Sequence, residues 1–406
     1  MKQLLFLFLI PIIIHASYVG DQTCKTCHKQ EHKQWQGSHH DLAMQKATAK
    51  TMLGDFNNAT FNYNGIISTF FKDGEKFMIN TDGADGKLHD YQVSFTFGVY
   101  PLQQYMVKFP KGKIQVLDIA WDSRSAKDGG QRWFHIHKDD NVTSNAGLHW
   151  PGPNLNGNYM CADCHSTNLK KNDDPKTKSY DTKYDAINVS CEECHGEGSE
   201  HIKWAENPKN YKGTLRKALK DIGEKNQWKM DKKTNKPVLL TPIDRSEVQM
   251  CAKCHSRRYQ FNDNFKDGKS FYDHYLPANL TQQLYEEDGK IKDEVYVYGS
   301  FVQSKMYEAG VTCSDCHNPH TLERYGSGDN VCNKCHTSAY YDTPSHTYHQ
   351  KGEAGCIDCH MPSRIYMGVD ERNDHSFRVP RPDLSDKLNS PNACNNCHKD
   401  KSSVWS

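Results

Sequence analysis

The sequence predicts an α+β chain in which sparse short helices and loops pack round bound prosthetic groups, with an antiparallel β-rich insertion near the N-terminus. Three observations carry this. Eight copies of C-x-x-C-H are spread along the 406 residues. Only 36% of the residues are hydrophobic, few for a chain of this length to build an ordinary core. Residues 56–145 contain no cysteine and alternate apolar with polar.

The motifs pair Cys24 with Cys27, Cys161 with Cys164, Cys191 with Cys194 and Cys251 with Cys254. The C-terminal half adds Cys313 with Cys316, Cys332 with Cys335, Cys356 with Cys359 and Cys394 with Cys397. All sixteen cysteines are used, and each pair is followed at once by a histidine: His28, His165, His195, His255, His317, His336, His360 and His398. Two thiols and an adjacent imidazole are the arrangement that attaches a c-type haem. The thiols add across the two porphyrin vinyl groups and the histidine becomes the proximal iron ligand. Zinc ribbons also use C-x-x-C, but zinc does not require a histidine after every pair. Histidine is 22 of 406 residues, so eight such coincidences have a chance on the order of 10⁻¹⁰. Disulfides leave the histidines unexplained. The sequence therefore predicts eight covalent c-type haems and the fold class of a multihaem cytochrome c, with the porphyrins supplying most of the missing apolar surface.

In chain order, Lys2 and the apolar run from Leu4 to Ile14 read as a secretion signal over residues 1–16. Eleven apolar residues are few for a bilayer span, although an uncleaved anchor is the competing reading. Export fits haem attachment outside the inner membrane, so the expected location is periplasmic or secreted, with no transmembrane span after cleavage. A first haem segment, 17–55, runs from Cys24 through a helix over 28–36 that ends at Gly37. Ser38 and Asp41 resemble a capping box opening a second helix to about Met52. His39 and His40 fall in its first turn, where the positive helix end favours neutral imidazole, and one of them is a candidate distal ligand.

Over 56–145, Tyr91, Val93, Phe95 and Phe97 alternate with polar residues, and turn signals recur at Asp73-Gly74, Asp82-Gly83, Asp85-Gly86 and Lys111-Gly112. Five to seven antiparallel strands are expected, with His89 on a strand face and His135 and His137 open to either role. The module is expected to make no contact on which the later haems depend. Residues 146–406 form a seven-haem domain. Its link from Lys203 to Lys236 holds eleven Lys or Arg against four Asp or Glu. That segment reads as a solvated loop or helix, or as a docking face for an acidic redox partner. A hairpin is expected over 286–298, centred on Asp288-Gly289. His149, His201, His274, His320, His346, His349 and His375 join His40 as distal candidates. Thirteen histidines stand outside the motifs and the leader, enough for eight bis-histidine haems. His320 is too near His317 in sequence to reach the far face of its own haem, and serves a neighbour if it binds iron.

W-Q-G-S-H-H-D-L-A at 35–43 and C-E-E-C-H-G-E-G-S-E-H at 191–201 resemble signatures of multihaem c-type cytochromes related to hydroxylamine oxidoreductase and its tetrahaem electron acceptor. F-G-V-Y-P-L-Q-Q-Y (97–105), H-W-P-G (149–152) and the stretch 374–385 extend the resemblance over nearly the whole chain. It is closest to an exported subfamily that often continues into tetratricopeptide repeats, which are absent here. The resemblance implies His40 and His201 as distal ligands. No C-x-x-C-K motif is present, so the lysine-ligated haem of some nitrite-reducing relatives is not implied.

The leading functional reading is electron transfer along closely spaced haems, with a membrane quinol dehydrogenase or other cytochromes as redox partners. The alternative is a multihaem oxidoreductase acting on a small nitrogen or sulfur compound at one open-site haem, and whether the chain is an enzyme is left open. A subunit of an extracellular haem filament is a third reading. The formal charge of +1 argues against nucleic acid. The sequence is silent on oligomeric state.

Overall fold

A computed structural model describes residues 16–138, 140–213, 225–262 and 270–406. The apolar leader lies outside the described residues, as does the middle of the basic link with Lys217 and Lys220. Two short helices open the fold, α1 (Asp21–Lys25) and α2 (Lys29–Trp35). Gly37 follows at φ +80°, a left-handed conformation that suits glycine at a helix end.

The expected helix over 38–52 does not form. Its capping bonds are present, since the Asp41 carboxylate accepts from Gly37 N at 2.8 Å and Ser38 Oγ accepts from Asp41 N at 3.4 Å. They close one turn only. Met44–Lys46 then becomes strand β1, paired antiparallel with Phe97–Phe95. Burying Met44 against the sheet outweighs a modest helix preference.

The sheet has nine strands, more than the pattern predicts, and begins at Met44 rather than at residue 56. The further strands are β2 (Ala59–Tyr63), β3 (Ile66–Asp73), β4 (Lys76–Asp82), β5 (Leu88–Phe97), β6 (Leu102–Lys108), β7 (Ile114–Val116), β8 (Ile119–Asp122) and β9 (Arg132–His135). They run in the antiparallel order β2-β3-β4-β5-β6-β8-β9, with β1 on β5 and β7 on β6. The β3–β4 turn uses Gly74 at φ +59°. A register shift between Val93 and Phe95 splits β5, so that its first half pairs β4 and its second half pairs β6 and β1.

One face of the sheet carries its own aromatic core. Phe70 stacks on Trp133, and Phe56 meets Phe70, Phe77, Tyr105 and Trp133 edge to face. A second cluster reaches beyond the sheet. Met44, Phe95, Phe97, Met106 and Val116 pack with Ala162 and Leu169, with Cys161 against them. At about 1.5–3 kcal/mol per fully buried apolar side chain, this cluster binds the sheet to the second motif. The module therefore touches motif 2, whereas the sequence reading gives it no contact on which the later haems depend.

After residue 146 regular structure is short. The helices used below are α3 (Ala162–His165), α4 (Cys191–His195), α5 (Ser199–Glu206) and α6 (Ser246–His255). The expected hairpin at 286–298 reduces to a tight turn, with Glu286 N donating to Lys290 O at 2.8 Å and Gly289 at φ +86°. An isolated antiparallel bridge joins Tyr285 to Ile291 across the turn, and Ile291 and Val295 pack with Tyr285 and Tyr366. Among the described residues no helix is long and apolar enough to cross a membrane.

Candidate haem sites

Each motif folds on a helical turn. In α3, α4 and α6, and again over Cys356–His360, the histidine lies inside a helix with its cysteines beside it. In four others the histidine N–H donates to the first cysteine carbonyl at 2.9 Å: His28 to Cys24, His317 to Cys313, His336 to Cys332 and His398 to Cys394. Residues four apart on a helix share a face, so the first thiol and the imidazole stand on one side. That is the geometry the porphyrin edge and iron require.

Five motif imidazoles are faced by an imidazole from another part of the chain. Ring centroids are 6.2 Å apart for His28 and His201, 6.2 Å for His40 and His255, and 6.3 Å for His195 and His320. The separations are 6.1 Å for His346 and His360 and 5.8 Å for His349 and His398. Two metal–imidazole bonds of about 2 Å, with a ring radius at each end, give about 6.3 Å. Stacking alone would need no such uniform gap, so the donor set fits a six-coordinate iron between each pair.

Several rings have their tautomer fixed from behind. Nδ1 lies 2.9 Å from Ala43 O in His165 and 2.9 Å from Arg378 O in His360. It is 2.7 Å from Thr347 O in His349 and 2.9 Å from Asn373 O in His375. A carbonyl can only accept, so Nδ1 carries the proton and Nε2 keeps its lone pair for a metal. Burial, reinforced by His255, pushes His40 down to about 3. Burial and the nearby Arg372 push His255 down to about 4. Both are neutral at ordinary pH, the form that binds iron.

The motifs are also joined to one another by the residues between their cysteines. The Glu192 carboxylate in motif 3 accepts from Val19 N and Gly20 N, beside motif 1. Its neighbour Glu193 pairs with Lys253 of motif 4 at 2.6 Å. Asp163 of motif 2 pairs with Arg258, just past motif 4, at 2.6 Å. Glu247, in α6 ahead of motif 4, accepts from Ser314 N and Oγ of motif 5, both at 2.7 Å. Lys334 of motif 6 reaches Asp315 O of motif 5 at 3.2 Å. Asp329 beside motif 6 accepts from Cys356 N of motif 7 at 2.7 Å.

The thiols repeat this order. Cys24 lies beside Cys191, Cys164 beside Cys254, Cys251 beside Cys313 and Cys332 beside Cys356. Cys359 neighbours Cys394 and Cys397 of motif 8. The motifs thus run 1-3-4-5-6-7-8 in space, with motif 2 attached at motif 4. Only Cys27 and Cys397, in the two end motifs, are exposed among the cysteines. Asp329, Cys332 and Cys356 together have metal-ligand spacing, but both sulfurs belong to haem motifs.

The chain is similar to known cytochromes in two stretches of sequence and in fold. The N-terminal region of the NapC/NirT cytochrome c family matches residues 142–281, which hold motifs 2 to 4, and the cytochrome c554 and c-prime family matches residues 23–62, around motif 1. The chain is a multihaem c-type cytochrome. A solved outer cell wall cytochrome, OcwA, shares its fold with a TM-score of 0.61 at 18% identity, over 96% of this chain and 85% of its own. The Wolinella succinogenes octahaem sulfite reductase MccA aligns at a TM-score of 0.38 and 13% identity, over 90% of this chain and 59% of its own. Among curated protein sequences none matches this cytochrome.

The remaining histidines of the cytochrome sit elsewhere. His149 is buried against the sheet, its Nε2 2.9 Å from the Asp82 carboxylate. The bond forms because Trp150 inserts into the sheet core beside it and donates to Asp82 O. His274 is buried next to Tyr275 and the α6 cluster. Neither faces a motif imidazole among the described residues. His375 lies near His317, whose charge adds to the burial that pushes it down. His135 stacks on Tyr63 with Asp118 at 3.3 Å, His137 pairs with Asp140, and exposed His89 pairs with Asp85. Sequence reasoning missed the charged residues between the cysteines. Glu192-Glu193 in one motif and Lys253 in the next were the available signal.

Proposed function

We propose that this chain is an exported eight-haem electron-transfer cytochrome. Each haem would supply one-electron exchange between ferrous and ferric iron. What supports the reading is the order of neighbouring motifs, given jointly by the side-chain bonds between motifs and by thiol neighbours. The protein's own part is to fix spacing and potential. His201, His320, His40, His346 and His349 serve as distal ligands to motifs 1, 3, 4, 7 and 8, and His375 to motif 5. Imidazole on both faces keeps potentials low, because a methionine ligand would raise them. The exposed motifs 1 and 8 are the exchange points for a membrane quinol dehydrogenase or other cytochromes. Residues 1–16 direct export to the periplasm or beyond, and the chain belongs with the cytochromes related to hydroxylamine oxidoreductase and its acceptor.

A spectroelectrochemical titration of the intact protein tests this. The expected result is a broad set of low potentials covering all eight haems, with donor-driven reduction reaching every one. Haems that a donor never reaches, or a dominant positive-potential population, would overturn it. A second reading, a multihaem oxidoreductase with an open-site haem, is favoured by one observation. Among the described residues no imidazole ring is stacked or tilted against His165, His317 or His336, although His375 lies near His317.

A further inference from the structure

Four junctions between motifs hold a carboxylate, and they differ in what neutralises it. Glu193 has Lys253 and Asp163 has Arg258, each pair at 2.6 Å. Glu247 has the Ser314 N–H and hydroxyl, and burial raises its carboxyl toward the neutral form. Glu192, at the junction of motifs 1 and 3, is only 3% exposed and has backbone alone. Its Oε1 accepts from Val19 N at 2.9 Å and Gly198 N at 2.8 Å, and its Oε2 from Gly20 N at 2.8 Å. Such donors stabilise a negative charge without cancelling it. Among the described residues the lysines of the adjoining helices are held by other acids, Lys203 by Glu200 and Lys253 by Glu193.

Residues 17–20 thereby form a strap across motif 3, closed at Ser17, whose N–H donates to Ser199 Oγ at 2.8 Å. The strap leads straight into α1 and Cys24, so the Glu192 carboxylate serves both motifs. The field of that carboxylate reaches the attachment atoms. Its neighbour Cys191 first, and then burial, push the Cys24 thiol well above its ordinary value, and Glu192 and Asp21 add in the same direction. At Cys194, burial and Cys251 act first, and there Glu193 and Lys253 oppose one another. The negative field survives at the junction of motifs 1 and 3 and is countered at the junction of motifs 3 and 4.

We propose that Glu192 is a positioning residue that also sets potential: its buried charge, seated in the loop of motif 3 and bonded to the strap of motif 1, lowers the potentials of both haems together. This rests on the electron-transfer reading and on haem loading at both motifs. A negative charge favours ferric over ferrous iron, and net charge is one of the levers on a haem potential. One charge shared by two haems leaves the difference between them nearly unchanged, so the first step of the path stays level while both fall relative to the rest. A unit charge about 12 Å from an iron, at an effective dielectric of about 20, changes the oxidised-to-reduced ratio about tenfold.

The test is a spectroelectrochemical titration of the full-length holoprotein and two variants. Glu192→Gln keeps the volume and one acceptor oxygen and removes the charge. Two haem equivalents should move up by about tenfold in that ratio, which is about 59 mV for one electron, and the others should stay. Glu192→Asp keeps the charge while its shorter side chain loosens the strap, and its potentials should stay within about threefold of wild type in the same ratio. Haem content by pyridine haemochrome and the low-spin signals in electron paramagnetic resonance should match wild type in both, which certifies folding and ligation. A residue that acts only as a strap would open motif 1 to water in both variants, and solvent exposure moves a potential without regard to the lost charge. Equal shifts in the two variants therefore overturn the proposal. Unmoved potentials in Glu192→Gln overturn it and leave the electron-transfer reading intact, whereas wild-type haems that a donor never reaches overturn both.

Discussion

Removing one partner of the ion pair between motifs 3 and 4 should destabilise the cytochrome far more than removing both. Glu193 Oε1 and Lys253 Nζ are 2.6 Å apart, with side chains only 8% and 12% exposed. At an effective dielectric of about 20, their attraction is about 6 kcal/mol. Burial pulls the Lys253 ammonium down, and Glu193 more than offsets this, so the net shift is upward. Desolvation cancels part of the attraction, and an uncompensated buried charge costs about 3–5 kcal/mol. Glu193→Gln keeps an acceptor for Asn168 N, bonded at 2.9 Å, so charge is the main loss. For a cooperative unit of about 150–250 residues, the melting temperature should fall by about 6–20 °C. Lys253→Met should match it. The double variant should return to within about 2 kcal/mol of wild type, since a neutral pair of similar volume replaces the ionic one. Thermal melting followed in the ferric Soret band measures all three. Singles that shift by under about 2 °C, or a double equal to their sum, would refute the reasoning.

Covalent haem content should be eight per chain by intact mass and pyridine haemochrome, because every cysteine belongs to a complete motif; bound zinc in place of iron would contradict this. Phe97→Ala should cost about 3–5 kcal/mol, as for other buried aromatic truncations. It should also impair haem loading at motif 2 before the others, read as a mass deficit of one haem, because Phe97 packs on His165 and with the Ala162 cluster. Burial first, opposed by the Ser314 bonds, raises the Glu247 carboxyl above its ordinary 4.5. The folded state then binds more protons than the unfolded one, so stability should fall as pH rises from about 4.5 through the raised value. Glu247→Gln should flatten that dependence in melts taken across the range.

Attachment chemistry was legible because c-type haem ties function to five consecutive residues, and Cys24 and His28 meet through one turn of local backbone. The sheet was legible in kind from the alternation at Tyr91–Phe97. It was not legible in extent, because Met44–Lys46 joins β5 only through tertiary pairing. The helix expected after Ser38 failed for the same reason. Distal ligands were harder. His201, near motif 3, faces His28, and His40, near motif 1, faces His255, so spacing along the chain carries little information about which haem a histidine serves. His149 illustrates the limit. Its neighbourhood by sequence is motif 2, but Trp150 commits the segment to the sheet core and hands the imidazole to Asp82. The order of the motifs lay in charges between the cysteines, whose partners are set only by tertiary placement, as Glu193 against Lys253 shows.

The central claim, one connected path of haems, is tested most directly by an anomalous-scattering map at the iron edge on crystals of the mature holoprotein. Eight iron peaks per chain are predicted, ordered by motif as 1-3-4-5-6-7-8, with the motif 2 iron neighbouring motif 4 and His201 on the iron of motif 1. A different order of neighbours, or a break between motifs 5 and 6 that separates two groups of irons, would contradict the account.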